Sequence, residues 1–274
     1  MSTNYQVIED PQNRWIDYIP DSPRDSFTIL LFPALNTLHS MDSYGRYLAV
    51  HGYRVRSIKY EGQRERFKHF FASRKISTAS IDDWQENIVE ACSSLENETK
   101  PLAAVVYSIG ASLLALYALK NPQTKIASVF ALAPALALTK KAQLGLSFYR
   151  IISSLVGANT GVFPTMVRGE NRVENFMSYN SYNKPNQVLE QIKFFVKKNH
   201  PTDSSIPWTV VVDEKDFLIN QALLKTKLRE YCFPNSKIVS VKGFGHEFAF
   251  PNYKDFPAQL NSLLANWLAE IEKI

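Results

Sequence analysis

Short runs of uninterrupted apolar residues alternate along this chain with longer stretches in which apolar positions recur every three or four residues. A run of five to eight apolar residues without polar alternation reads as a strand buried on both faces, and the 3.6-residue period reads as an amphipathic helix. Residues 27–32 are predicted as a fully buried strand, β-like runs are read at 5–8 and 15–19, and further strands at 53–58, 102–107, 126–132, 208–212 and 238–241. Helices are predicted at 41–50, 81–95, 109–119, 218–229 and 256–271. Arg54 and Arg56 flank Val55, so the 53–58 strand is expected to be less buried than its neighbours. Ser80 stands where a helix N-cap should, with Asp82 and Asp83 in the first turn, where negative charge suits the helix dipole. Strand and helix alternate on both sides of the middle region. The fold class is therefore α/β, a mostly parallel sheet with helices on both faces.

Residues 137–205 break the alternation. Helix-like pieces at 144–155 and 188–198 are separated there by Gly157, Gly161, Pro164 and Pro185. This stretch reads as a helical cap insertion, leaving residues 1–136 and 206–274 as the core. Its apolar residues Leu146, Phe148, Tyr149, Ile152, Leu155 and Val156 fall at roughly helical spacing, suited to packing the cap on the core or lining a cleft.

Composition narrows the class further. The 274 residues are 45% hydrophobic and 21% charged, enough for a sizeable core without staples. The net charge of +5 is spread without long basic runs or zinc-finger spacing, which argues against nucleic acid as partner. Residues 101–119 carry no charge over 19 positions, nearly a membrane span, yet Tyr107, Ser108, Gly110 and Ser112 sit in their middle. A buried strand, a turn and a buried helix account for that pattern, so no integral membrane segment is expected. The first residues lack a basic-then-apolar leader, and Cys92 and Cys232 lie far apart without metal-ligand spacing. Both are expected to be reduced, partly buried thiols of a cytoplasmic protein. The chain is expected to be a monomer or homodimer.

Three residues carry candidate chemistry. Ser108 follows the apolar run 102–106 and precedes Gly110-Ala111-Ser112; Asp216 follows Val210-Val211-Val212; His246 follows Gly243-Phe244-Gly245. Each lies just past a predicted strand, so one sheet edge can receive all three. A serine hydroxyl is a weak nucleophile that needs a base within hydrogen-bond reach and a group orienting that base. A sharp strand-to-helix turn lifts the serine clear of the sheet and leaves helix N–H groups unpaired where an oxyanion would form. Gly110 lacks a Cβ and lets the helix pass close to a neighbouring strand. Ser112 is the rival nucleophile, one helical turn deeper, and Asp213 is the rival acid, nearer the strand end. His39, His51, His69 and His200 lack the strand-end, glycine-flanked setting. The basic stretch Arg64, Arg66, Lys68, Arg74, Lys75 is either a solvated loop or a docking surface for a phosphate-bearing acyl donor.

The serine, acid, histidine order and the elbow Val106-Tyr107-Ser108-Ile109-Gly110 resemble the α/β-hydrolase family over about residues 26–267. The resemblance implies Ser108 as nucleophile, Asp216 as acid and His246 as base. It also implies backbone N–H groups of Leu35 and Ile109 as oxyanion donors. Two positions depart from the family pattern. Val106 replaces the first elbow glycine, which calls for a shifted turn or a smaller neighbour. Pro33-Ala34 replaces His-Gly, which makes Ala34 the fallback for the first donor. The capped arrangement resembles carboxylesterases and monoacylglycerol-lipase-like enzymes, and the stretch from Met41 to Val55 resembles myristoyl-carrier thioesterases. The resemblance thus implies a serine hydrolase of carboxylic esters, or else an acyl thioesterase or acyltransferase, acting on a small-molecule acyl substrate with no metal or cofactor. A non-catalytic binder on the same fold is the reading from another class.

Overall fold

The computed structural model describes residues 4–12, 14–24, 26–34, 41–60, 79–95, 100–142, 162–164, 176–250 and 252–274. The strands up to the middle region are β1 (Tyr5–Glu9), an edge strand exposed beyond Tyr5, β2 (Trp15–Pro20), β3 (Thr28–Phe32), β4 (Arg54–Ile58), β5 (Leu102–Tyr107) and β6 (Ile126–Leu132). A short hairpin, β7 (Val162–Pro164) with β8 (Phe176–Ser178), follows, and then β9 (Trp208–Asp213) and β10 (Ser236–Val241). The described helices are α1 (Asp42–Val50), α2 (Ile81–Ser93), α3 (Ile109–Lys120), α4 (Tyr179–Asn199), α5 (Gln221–Glu230) and α6 (Ala258–Ile271).

Eight strands form one sheet in the order β1-β2-β4-β3-β5-β6-β9-β10. β1 pairs antiparallel with β2 and β2 with β4; every later neighbour is parallel. Parallel strands joined by helices place all their carboxyl ends on one edge, where ligands of open α/β sheets bind. β5 is buried along its whole length, and residues 109–119 of α3 are buried on every face. That explains why 19 uncharged residues need no lipid: they fill the centre of a sheet and the helix packed on it. Among the described residues no helix is long and apolar enough to cross a membrane.

Ser80 caps α2 as the sequence predicts. Its Oγ accepts from the Asp83 N–H at 3.0 Å, and Asp83 Oδ2 accepts from the Ser80 N–H at 2.6 Å. The β4 expectation needs correction: Arg56 is buried, not half-exposed. Its guanidinium makes a two-pronged pair with Asp17 on β2, at 2.7 and 2.8 Å, and lies 4.3 Å from the Trp15 ring centre. An alternating arginine reads as surface until a carboxylate on the adjacent strand neutralises it in the interior.

Between β6 and β9 the short hairpin was not expected, and the expected helix at 144–155 lies outside the described residues. The other expected helix starts earlier than read, at Tyr179, and contains Pro185. It packs against α3 through a face on which Val188, Leu189 and Ile192 are buried. Cys92 and Cys232 are both buried.

Candidate active site

β5 ends at Tyr107 and α3 begins at Ile109, leaving one residue to reverse the chain. That residue is Ser108, with φ 51° and ψ −115°. An L-residue in this region is strained by about 1–3 kcal/mol and persists only where its surroundings over-determine it. Here the backbone is fully engaged. Ser108 N–H donates to the Leu132 carbonyl at 3.0 Å, and the Ser108 carbonyl accepts from Ala111 and Ala135 N–H at 3.1 and 3.0 Å. The side chain stands free of the ladder at the carboxyl edge.

Gly110 makes the turn possible. A Cβ built there would lie 2.3 Å from the Phe32 carbonyl oxygen on β3, well inside contact distance. Val106, where the family pattern has glycine, is fully buried and stands level with Ala131 on β6 and Phe32 on β3.

Ser108 Oγ lies 3.1 Å from His246 Nε2, and His246 Nδ1 lies 2.9 Å from Asp216 Oδ2. With Asp216 accepting from Nδ1–H, Nε2 is left as the acceptor for the serine hydroxyl. The Asp216 side chain is 1% exposed and that of His246 14%. Asp216 Oδ1 is held by the N–H groups of Leu218 and Ile219 at 2.8 and 3.0 Å, so each carboxylate oxygen has its own task. Asn220, not Asp216, caps α5.

The rivals find other employment. Asp213 is buried at the end of β9, where its carboxylate accepts from Lys215 N–H at 2.7 Å and Phe244 N–H at 2.8 Å. Burial opposes its charge, but backbone N–H groups of Lys215, Phe244, Gly245 and Gly243 outweigh it and hold the carboxyl below the usual range. Asp213 therefore ties down the loop that carries His246. In that loop Gly243 and Gly245 have φ of 92° and 60°, while nothing lies within 4 Å of a Cβ at either. Conformation, not space, requires the glycines. Ser112 is fully buried and donates to the Ala135 carbonyl at 2.7 Å, a satisfied core hydroxyl. His51 bonds to its own helix through the Tyr47 carbonyl, and His200 is exposed; His39 and His69 lie outside the described residues.

Ile109 is the first residue of α3, so its N–H has no carbonyl one turn back inside the helix to receive it. Leu35 lies outside the described residues, as does the basic stretch Arg64 to Lys75. Ala34 is buried just beyond the end of β3, on the same edge.

Two residues that the sequence reading passed over hold the histidine segment. Tyr107 Oη donates to the His246 carbonyl at 2.8 Å and accepts from Phe248 N–H at 3.4 Å, and Tyr44 Oη donates to the Phe248 carbonyl at 2.8 Å. Burial pushes both phenols well above their ordinary range, so they stay protonated donors. In sequence they look like core aromatics. The only hint is that Tyr107 immediately precedes the serine.

The two aspartates predict different failures. If His246 acts as a base oriented by Asp216, Asp216→Asn should lower kcat by about 10⁴-fold with little change in unfolding midpoint, because an amide favours the wrong imidazole tautomer. Asp213→Asn should chiefly destabilise, by roughly 1–3 kcal/mol, because an amide nitrogen faces backbone donors. As a carboxylate held below its unfolded value, Asp213 contributes stability that is present above about pH 4 and is lost as pH falls through its folded value. In urea titrations at pH 7 and pH 3, the stability gap between parent and Asp213→Asn should be smaller at the lower pH.

No family model matches the chain, and no curated protein sequence does. Solved structures do. A metagenome-derived lipolytic enzyme from the work on LipS and LipT superposes with a TM-score of 0.69 at 13% identity, covering 97% of this chain and 100% of that one. A soluble variant of monoglyceride lipase from Saccharomyces cerevisiae gives 0.69 at 12% identity, over 99% and 95% of the two chains. The thioesterase domain from the curacin biosynthetic pathway gives 0.57 at 16%, over 97% and 100%. With its parallel sheet, its elbow after β5 and likenesses that span whole chains, this protein has the α/β-hydrolase fold.

Proposed function

We propose that the protein is a serine hydrolase that cleaves carboxylic esters through an acyl-enzyme. One observation carries the reading: an unbroken relay from Ser108 Oγ through His246 to Asp216, with contacts of 3.1 and 2.9 Å, on a strained elbow. His246 Nε2 takes the hydroxyl proton as Ser108 Oγ bonds to the ester carbonyl carbon. Asp216 fixes the tautomer and stabilises the imidazolium. Backbone N–H groups of Ile109 and of Leu35, with Ala34 as the alternative, stabilise the negative oxygen. The carbon–oxygen bond to the alcohol breaks, and the alcohol leaves with the proton from His246. Water then attacks the acyl-serine by the same route and restores the enzyme. Residues 137–205 would cap this edge over the core formed by 1–136 and 206–274. The lipolytic neighbours support an acyl ester as substrate. The two cysteines, far apart in sequence and read as reduced thiols, support a cytoplasmic setting, and a monomer or homodimer is taken as the working unit.

A thioester substrate is the second reading, supported by the likeness to a thioesterase domain and by the thioesterase-like stretch from Met41 to Val55. Paired turnover of an oxygen ester and a thioester of the same acyl group separates the two. The ester reading expects the higher kcat/KM on the oxygen ester, and the reverse order would replace it with the second. A non-catalytic binder would turn over neither and would resist a fluorophosphonate probe.

A further inference from the structure

The loop that delivers Asp216 also delivers an aromatic ring that stays largely exposed. Phe217 is 67% exposed, although the Asp216 side chain before it and Ile219 two residues on are buried. Its backbone is not free to fold the ring away. Thr139 Oγ1 donates to the Phe217 carbonyl at 2.8 Å, and Thr139 N–H donates to the Leu218 carbonyl at 2.8 Å. Asp216 Oδ1 binds the next two N–H groups, and Leu138 bridges Ile219. The anchored turn thus places the ring at the rim, edge-on to the His246 imidazole at 6.4 Å between centres and 68° between planes.

Position decides what that ring can do. In the serine-hydrolase reading, on which this inference rests, His246 hands its proton to the departing alcohol. The alcohol oxygen must therefore lie within hydrogen-bond reach of Nε2, and the carbons attached to it lie beside the imidazole. An exposed phenyl ring next to that imidazole offers them apolar area to cover. The acyl chain departs from the other side of the same carbonyl carbon and has no such obligation towards the histidine. We infer that Phe217 is a specificity-determining residue that binds the leaving-group side of the substrate and selects esters of apolar alcohols, alkyl or aryl, over those of small polar ones.

The test holds the acyl group constant. Methyl butyrate and benzyl butyrate differ only in alcohol, and methanol and benzyl alcohol are similar leaving groups. The parent protein should show a KM for benzyl butyrate at least fivefold below that for methyl butyrate. Phe217→Ala should raise the benzyl KM by about five- to twentyfold, move the methyl KM less than twofold, and leave kcat and the fluorophosphonate labelling rate nearly unchanged. Phe217→Leu, which keeps apolar area, should fall between. Equal loss on both esters, or a fall in kcat and labelling, would make Phe217 a support for His246 and overturn the inference. No change on either ester would overturn it too. A parent that cleaves both esters and a Ser108→Ala variant that cleaves them equally well would instead remove the serine reading, whatever Phe217 does. A parent that cleaves neither contradicts both.

Discussion

Ser108→Ala is expected to lower kcat by at least about 10⁴-fold on any ester the parent hydrolyses, with the fold intact. The magnitude follows from what the proposed mechanism loses: the atom that would form the covalent bond, not an accessory to it. Stability should barely change. The Ser108 Oγ contact is to a side chain at the open edge, while the backbone contacts to Leu132, Ala111 and Ala135 survive. Alanine keeps the strained conformation at φ 51°, and glycine does not pay the same penalty there. Ser108→Gly should therefore be equally inactive yet more stable than Ser108→Ala, by about 1 kcal/mol. Urea unfolding of the two variants beside an esterase assay reads both effects. A Ser108→Ala protein with parental turnover would remove the serine from the chemistry.

Gly110→Ala is expected to have the largest effect on stability. A Cβ 2.3 Å from the Phe32 carbonyl oxygen meets backbone at the carboxyl end of the central strand β3, and no rotamer can relieve it. Either α3 lifts from β3 or the Phe32 peptide tilts out of its pairing with Val106. Overpacking of this kind costs about 3 kcal/mol, which for a domain of this size lowers the melting temperature by roughly 6–12 °C. Turnover should fall as well, since Ile109 N–H and Ser108 ride on the displaced helix start. Differential scanning calorimetry tests the first part. A melting temperature within a degree of the parent would show that the close passage of α3 over β3 can relax at no cost.

The strands and helices were legible because burial leaves a periodic trace, and the core strands here are nearly free of charge. Ser108 and His246 were legible because chain reversal next to an apolar run needs small residues at fixed offsets. Other features were not. Arg56 looks like a surface residue because its neutralising partner, Asp17, lies 39 positions away on another strand. Asp213 and Asp216 are equivalent by sequence. Only their surroundings, backbone donors for one and an imidazole for the other, divide the roles. The pairing of Tyr107 and Tyr44 with the His246 to Phe248 segment is equally silent, since a phenol in an apolar run gives no sign of where its hydroxyl points. The rim position of Phe217 depends on Thr139, which is distant in sequence and carries no motif.

The central claim is that Ser108 is a nucleophile activated by His246. Its most direct measurement is the mass of the intact protein after brief exposure to a fluorophosphonate, with the adduct mapped by peptide fragmentation. The account predicts one adduct per chain, on Ser108, absent in Ser108→Ala and formed at least 100-fold more slowly in His246→Ala. An adduct on another residue, or labelling of Ser108 at the parental rate without His246, would contradict it.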